Sequence, residues 1–402
     1  MSTNPRTYLD YNASAPLGAP AREAMAAVML DMGANPSSIH AEGRRARDLV
    51  ERARNQVATL SHRPREQVVF TSGGSEANAL AVQTLIAEAH RRGLPNVIAC
   101  SALDHPSLRG AVDQLRKVRT HYEIHGSTST LRARETWHVH LHVHIDVHDL
   151  VDIGVLVVSA VNHELGTMPA LNELIAFARK AGVLVHVDAV QAAGKIDLST
   201  ITSDTMAISA HKLAGPPGAG ALLTSINPPS EEDRPDDDVE SGHQERGRRA
   251  GTENVLGIVG FGAACAAVKL DEWPRVAALG TKLETGLVEL GARINGADLL
   301  RDGSSDDDLR VIPRVGGTIN AAWPGLRGET IVMALDIAGV SVSTGAACTS
   351  GSIKPSPVLL ALGQSPEQAR EAVRFSLGVP TTEHEIDRVL ELLPPILERG
   401  RR

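Results

Sequence analysis

Along the first two thirds of the chain, short apolar runs alternate with stretches of helical pattern. VVFT (68–71), NVIAC (96–100), VLVVSAV (155–161), VLVHVDAV (183–190) and MAIS (206–209) have the length and continuous apolar character of buried strands. Helical patterns, including 76–90 and 171–181, lie between them. Strands and helices in alternation predict an α/β fold with a mainly parallel sheet. Near residue 265 the pattern changes to long helical segments, then VGGTIN (315–320), VSVST (340–344) and a helical tail over 383–398. That change marks a domain boundary. No internal repeat is visible.

The chain has 402 residues, so a large domain with a smaller companion is expected. It is 42% hydrophobic with only 2% aromatics, which makes the core aliphatic. A net charge of −8 with so few aromatics argues against direct nucleic-acid binding. No apolar stretch is long enough to span a bilayer, and MSTNPRTYLD lacks the apolar centre of a signal peptide. Three cysteines, Cys100, Cys265 and Cys348, suit a reducing compartment. The expected location is cytoplasmic.

Two stretches break the alternation. PPSEEDRPDDDVE (228–240) is acidic and carries prolines, the composition of a solvated loop. WHVHLHVHIDVHD (137–149) sets His138, His140, His142 and His144 at alternate positions, on one face of any strand formed there. Alternate histidines chelate divalent metals, and the same pattern makes a polar outer strand face. No metal site is expected there.

The chemistry concentrates at strand ends. Asp188 closes the apolar run VLVHVD and Lys212 follows the run AIS, 24 residues on. Pyridoxal phosphate requires such a pair: a lysine amine for a Schiff base and a carboxylate for the pyridinium nitrogen. Taken alone, the pair reads more readily as two unrelated surface charges after core strands. VVFTSGGSEANAL adds a strand, a glycine turn and a helix, with Gly73, Gly74 and Ser75 at the turn. Backbone N–H groups at such a helix start face an anion, here a phosphate. Ser209 and His211 stand just before the lysine as further donors. His105, in LDHPSL, follows a strand and is placed to stack on a ring and move protons, although isolated histidines in such loops are usually surface residues.

Two more residues complete the set. Cys348 lies in VSTGAACTSGS (342–352), a run of small residues with no apolar period to bury it, whereas Cys265 in GFGAACAAV reads as core. Arg374 sits inside the apolar run AVRFSLG (372–378) and needs an anionic partner, either a substrate carboxylate or a structural salt bridge.

From YLDYNASAP (8–16) to FSLGVPTTEHEID (375–387) the chain resembles the cysteine desulfurases, class V aminotransferases of pyridoxal phosphate fold type I. NPSSIHAEGR (35–44), FTSGGSEAN (70–78), HVDAVQ (186–191), SAHK (209–212), QERGRRAGTEN (244–254), STGAACTS (343–350) and VRFSLG (373–378) carry the resemblance. STGAACTS resembles the long-loop group of these enzymes.

The resemblance implies a large domain (14–263) with a mainly parallel seven-stranded sheet flanked by helices. It implies a smaller α+β domain (1–13 and 264–402) carrying the Cys348 segment. Lys212 would hold pyridoxal phosphate covalently and remove the Cα proton, Asp188 would pair with the ring nitrogen, and Gln191 would donate toward the ring hydroxyl. Gly74, Ser75, Ser209 and His211 would bind the phosphate, joined by Thr252 from the neighbouring subunit of a homodimer. Arg374 with Asn35 would bind the carboxylate of L-cysteine, and His105 would stack on the ring as an acid–base group. Cys348 would take the substrate sulfur as a persulfide, release alanine and pass the sulfur to an acceptor protein. Iron–sulfur clusters, thiolated tRNA or another modification such as phosphorothioate DNA would be the destination.

The sequence departs from the family pattern in three places. VNHELG (161–166) carries His163, beside the cofactor's phenolic oxygen, where asparagine is usual. Ala34 replaces the usual glycine before Asn35, and 126–149 does not resemble the family's connection. Three rival readings remain: selenocysteine lyase, another pyridoxal phosphate aminotransferase or lyase with Cys348 a bystander, and a non-catalytic dimeric scaffold. A scaffold has no need of Lys212, Asp188, His105, Cys348 and Arg374 together.

Overall fold

The computed structural model describes residues 6–30, 34–113, 120–124 (backbone), 153–227, 244–296, 313–344 and 354–401. In chain order its strands are β1 (Thr7–Tyr8), β2 (Val68–Thr71), β3 (Val97–Ser101), β4 (Thr120–Ile124), β5 (Val155–Ser159), β6 (Leu184–Asp188), β7 (Thr205–Ser209), β8 (Gly220–Thr224), β9 (Arg293–Ile294), β10 (Thr318–Ala322), β11 (Val340–Ser341) and β12 (Ala372–Ser376). The chain divides into two compact units. One comprises Pro16–Ala160 and Ala170–Lys269; the other comprises Met1–Ala15, Val161–Pro169 and Leu270–Arg402.

The larger unit is built on a seven-stranded sheet of order β2-β8-β7-β6-β5-β3-β4. All of it is parallel except β8, which runs against both β7 and β2. The mainly parallel α/β sheet expected from the alternation is therefore present. Buried strands explain the continuous apolar runs, since both sheet faces are covered. The helix Gly74–Arg91 packs along one face: Ala77 and Ala81 meet Val69, Ala207 and Leu222, while Val82 and Leu85 meet Ile98, Val157 and Leu184. Its alanines bring the helix close to the strands. The C-terminal ends of β2, β3, β5, β6 and β7 share one edge, where open α/β sheets hold ligands.

The smaller unit has a three-stranded antiparallel sheet, β12-β10-β9, and a parallel β1–β11 pair. Strand β10 begins at Thr318 and not at 315, because Gly316 and Gly317 take left-handed φ values of 72° and 66°. The helix Glu383–Arg401 buries Ile386, Val389, Leu393 and Leu397 at helical spacing.

Candidate active site

At the C-terminal edge of the large sheet, the connections that follow β2, β3, β6 and β7 carry candidate chemistry. After β2 the chain turns at Gly73 (φ 157°, ψ −178°), a conformation open essentially to glycine alone. A Cβ on Gly220 of β8 would lie 2.7 Å from Gly73, so the turn also rests on a bare backbone. The helix Gly74–Arg91 starts there with no side chain capping its first turn. Its leading N–H groups are thus left for an anion. Glu76 in that turn accepts from Ser72 N at 2.6 Å and from Arg249 Nε at 2.5 Å, which fastens the 244–254 segment beside the turn. Ser75 is exposed at the helix start, and Thr252 is exposed on that segment.

Asp188 ends β6, buried, with both oxygens occupied by donors. Oδ1 accepts from Val190 N at 2.9 Å and Oδ2 from Asn78 Nδ2 at 2.8 Å. Next to it in the sheet, β7 ends at Ser209 and a turn of 3-10 helix follows over Ala210–Lys212. Ser209 is fully buried and its hydroxyl meets His211 Nδ1 at 2.8 Å. Burial, aided by the charge of Lys212, pushes the His211 pKa down to about 4, so this imidazole is neutral at pH 7. Gln191 is buried and its Oε1 accepts from Lys195 Nζ at 3.0 Å.

His105 lies exposed after β3, its Nδ1 met by Ser107 N at 3.1 Å and Ser107 Oγ at 2.8 Å. Asp104, its neighbour, is fully buried. Its two oxygens accept from Ser101 N and Ser159 N, both at 2.9 Å, and so join the ends of β3 and β5. Burial and, to a lesser degree, the charge of Asp188 push the Asp104 pKa up to about 6, against those hydrogen bonds. Asn35 is exposed and caps Ser37 N at 2.9 Å through its Oδ1.

In the smaller unit Arg374 is buried on β12. Its Nη2 meets Asp10 Oδ1 at 2.9 Å and Nη1 the His163 carbonyl at 3.2 Å, so the salt bridge weighed in the sequence does form. Its Nε has no partner among the described residues, which leaves one edge of the guanidinium for an anion. Two backbone bonds join Arg374 to Ser343, five residues before Cys348. Cys348 itself lies outside the described residues, as do the histidines of 137–149. His163 is partly buried, with Nε2 3.6 Å from Glu164 Oε1. Cys265 is buried and its thiol is pushed far up by that burial, in keeping with its reading as core. Among the described residues no group of three His, Cys, Asp or Glu is placed to hold a metal, and no helix is long and apolar enough to cross a membrane.

Sequence reasoning passed over Asn78, His186 and Asp104. Asn78 is buried on the helix Gly74–Arg91 and donates to Ser107 Oγ (3.1 Å) as well as to Asp188, while its Oδ1 meets His186 Nε2 at 3.0 Å. The available signal was periodicity: His186 and Asp188 stand two apart on β6 and so share a sheet face.

A lysine and a buried aspartate at neighbouring parallel strand ends, beside an uncapped helix start, define an α/β enzyme of the pyridoxal phosphate type. The sequence matches the family described as aminotransferase class-V over residues 7–389. A cysteine desulfurase of Enterobacter agglomerans is 37% identical over 404 residues, covering 98% of this chain and 93% of the relative. One from Cereibacter sphaeroides is 36% identical and covers 98% and 97%. Among solved structures, a NifS-like protein superposes with a TM-score of 0.77 at 27% identity, covering 98% of this chain and 100% of the other. SspA in complex with cysteine gives 0.69 at 25%, covering 92% and 98%. The chain belongs to the aminotransferase class-V family. Its cofactor is pyridoxal phosphate, and the residues fit: the uncapped helix start suits the phosphate, and Asp188, buried and held in place by Val190 N and Asn78 Nδ2, suits a ring nitrogen.

Proposed function

We propose that the residues gathered on these strand ends make the chain a cysteine desulfurase that moves sulfur from L-cysteine to the thiol of Cys348. The observation that carries the reading is the adjacency of β6 and β7, whose neighbouring ends deliver Asp188 and Lys212. Enzyme class and reaction follow from the family and from relatives matched over nearly their whole length.

When bound, pyridoxal phosphate supplies an electron sink that acidifies the Cα–H of an amino acid. Gly74, Ser75, Ser209, His211 and Thr252 are assigned to its phosphate, Asp188 to its ring nitrogen, and Gln191 and His163 to its ring hydroxyl. Lys212 is its anchor and moves the Cα proton. His105, with Nδ1 occupied by Ser107, presents Nε2 as the proton-carrying atom. Arg374 and Asn35 bind the substrate carboxylate. The Cys348 thiolate attacks the substrate sulfur, the C–S bond breaks toward carbon, and a proton replaces sulfur there. L-Alanine leaves and a persulfide stays on Cys348.

Thr252, exposed beside the phosphate turn, is assigned to the neighbouring subunit's site in a homodimer. The persulfide then passes to an acceptor protein in the cytoplasm, for iron–sulfur clusters or another thiolated product. The test supplies purified protein with pyridoxal phosphate, L-cysteine and a reductant, and measures alanine and sulfide from wild type and Cys348→Ser. Equal alanine and sulfide from wild type, both lost in the variant, is the expected result. Alanine from the variant would replace the desulfurase by a lyase or transaminase.

A further inference from the structure

The buried polar groups behind Asp188 form one chain of hydrogen bonds, and its polarity is fixed. Asn78 Nδ2 is 2.8 Å from Asp188 Oδ2 and must donate, because the amide turned the other way would set its oxygen against a carboxylate. Asn78 Oδ1 therefore accepts, and His186 Nε2, 3.0 Å away, carries the proton. His186 is completely buried and burial pushes its pKa down to about 3, so the ring is neutral with Nδ1 as acceptor, taking the Thr205 hydroxyl at 2.8 Å. The second Asn78 N–H goes to Ser107 Oγ at 3.1 Å, which leaves the Ser107 hydroxyl to donate to His105 Nδ1 at 2.8 Å.

Donation thus runs from Thr205 through His186 to Asn78, where it divides toward Asp188 and toward Ser107 and His105. We infer that His186 is a positioning residue for the cofactor, acting through Asn78: its Nε2–H locks the amide so that one N–H holds Asp188 and the other sets Ser107 against His105. This rests on the assignment of Asp188 to the ring nitrogen. A fold stabilised for its own sake has little use for such a chain, since a leucine at 186 and an alanine at 78 would bury apolar surface without a polar network to satisfy. The arrangement makes sense if two side chains facing the ligand must be held in one orientation each.

The inference is tested on the apoprotein by titration with pyridoxal phosphate, following cofactor fluorescence, alongside thermal melting without cofactor. His186→Leu removes the donor and is expected to weaken cofactor binding about tenfold or more, the cost of one misplaced buried hydrogen bond. His186→Gln places an amide N–H where Nε2–H stood and is expected to recover most of that affinity. Thr205→Val acts from three hydrogen bonds away, leaves His186 free to change tautomer, and is expected to weaken binding about threefold. It also carries the test if His186→Leu does not fold. Equal affinity in wild type and Thr205→Val, or a glutamine no better than leucine while melting recovers, would reduce the network to a structural one. Failure of the wild type to bind the cofactor would instead count against the assigned function.

Discussion

Glu245 and Arg54 meet fork to fork in the larger unit, with both guanidinium–carboxylate contacts at 2.8 Å and side chains only 1% and 6% exposed. The same carboxylate accepts Phe70 N on β2 at 2.8 Å, and the guanidinium lies 4.7 Å from the Phe70 ring centroid. Glu245 and Arg246 both hold left-handed φ values, 48° and 59°, which cost non-glycine residues energy. The ion pair is what holds that turn, and the turn leads into the segment carrying Arg249 and Thr252. Glu245→Gln sets a neutral amide against the buried Arg54 fork and leaves Glu51, 2.9 Å from its Nε, as the remaining carboxylate partner. The expected loss is about 3 kcal/mol of unfolding free energy, measured by urea denaturation. A variant as stable as wild type would show that the turn holds itself.

Asp104 gives the fold a pH dependence of definite sign. Its folded pKa is raised from 3.8 to about 6, so between these values the folded state binds more protons than the unfolded. Unfolding free energy therefore falls as pH rises through this window, by roughly 3 kcal/mol at most for the full shift. Asp104→Asn removes the titration and is expected to flatten stability between pH 4 and 6, while losing one of the two side-chain oxygens that accept from the backbone N–H groups of Ser101 and Ser159. Urea unfolding at several pH values in that range, wild type beside variant, decides it: parallel curves would assign the slope to other groups.

The parts that were legible share one property, a local signal. Apolar runs of four to eight residues gave β2, β3, β5, β6 and β7, and the residues at or just past their ends gave Asp188, Lys212 and His105. The direction of β8 was not legible, because GALLT has the pattern of any buried strand and periodicity carries no sense of direction. VSVST (340–344) gave only two strand residues, Val340–Ser341, since pairing with the two-residue β1 ends there. Asn78 escaped because its role is made by tertiary contact: within the helix it looks like one polar residue among alanines, and its three partners come from β6 and from the start of the helix Pro106–Asp113 that follows β3. Asp104 was hidden for a similar reason, its acceptors' value arising only when β3 and β5 lie side by side.

His163 offers a test at a position where the chain departs from its family. Its backbone carbonyl holds Asn12 Nδ2 at 3.2 Å and Arg374 Nη1 at 3.2 Å, contacts a side-chain change leaves in place. Its ring stands 3.6 Å from the buried Glu164 carboxylate, which also accepts from Ser356 Oγ at 2.6 Å. His163→Asn is expected to keep alanine production within about threefold, because an amide N–H can replace an imidazole one. The pH titration of the bound cofactor's absorbance should move, since a titratable group has been exchanged for one that does not titrate. An unchanged titration would remove His163 from the cofactor's surroundings.

Arg374→Lys separates the two readings that its sequence left open. The guanidinium already satisfies Asp10 and the His163 carbonyl, and a lysine ammonium can serve Asp10 as a point charge. If the arginine were only structural, the exchange would cost stability and leave kinetics nearly intact. Its Nε without a partner argues for more, because a buried N–H left unpaired costs free energy that a bound carboxylate would return. Losing the fork should therefore raise KM for L-cysteine about a hundredfold, equivalent to about 3 kcal/mol of binding, with a smaller change in kcat. The comparison is steady-state kinetics of wild type and variant at saturating cofactor, with melting temperatures recorded on the same samples. A lowered melting temperature with KM unmoved would return Arg374 to the role of partner for Asp10 alone.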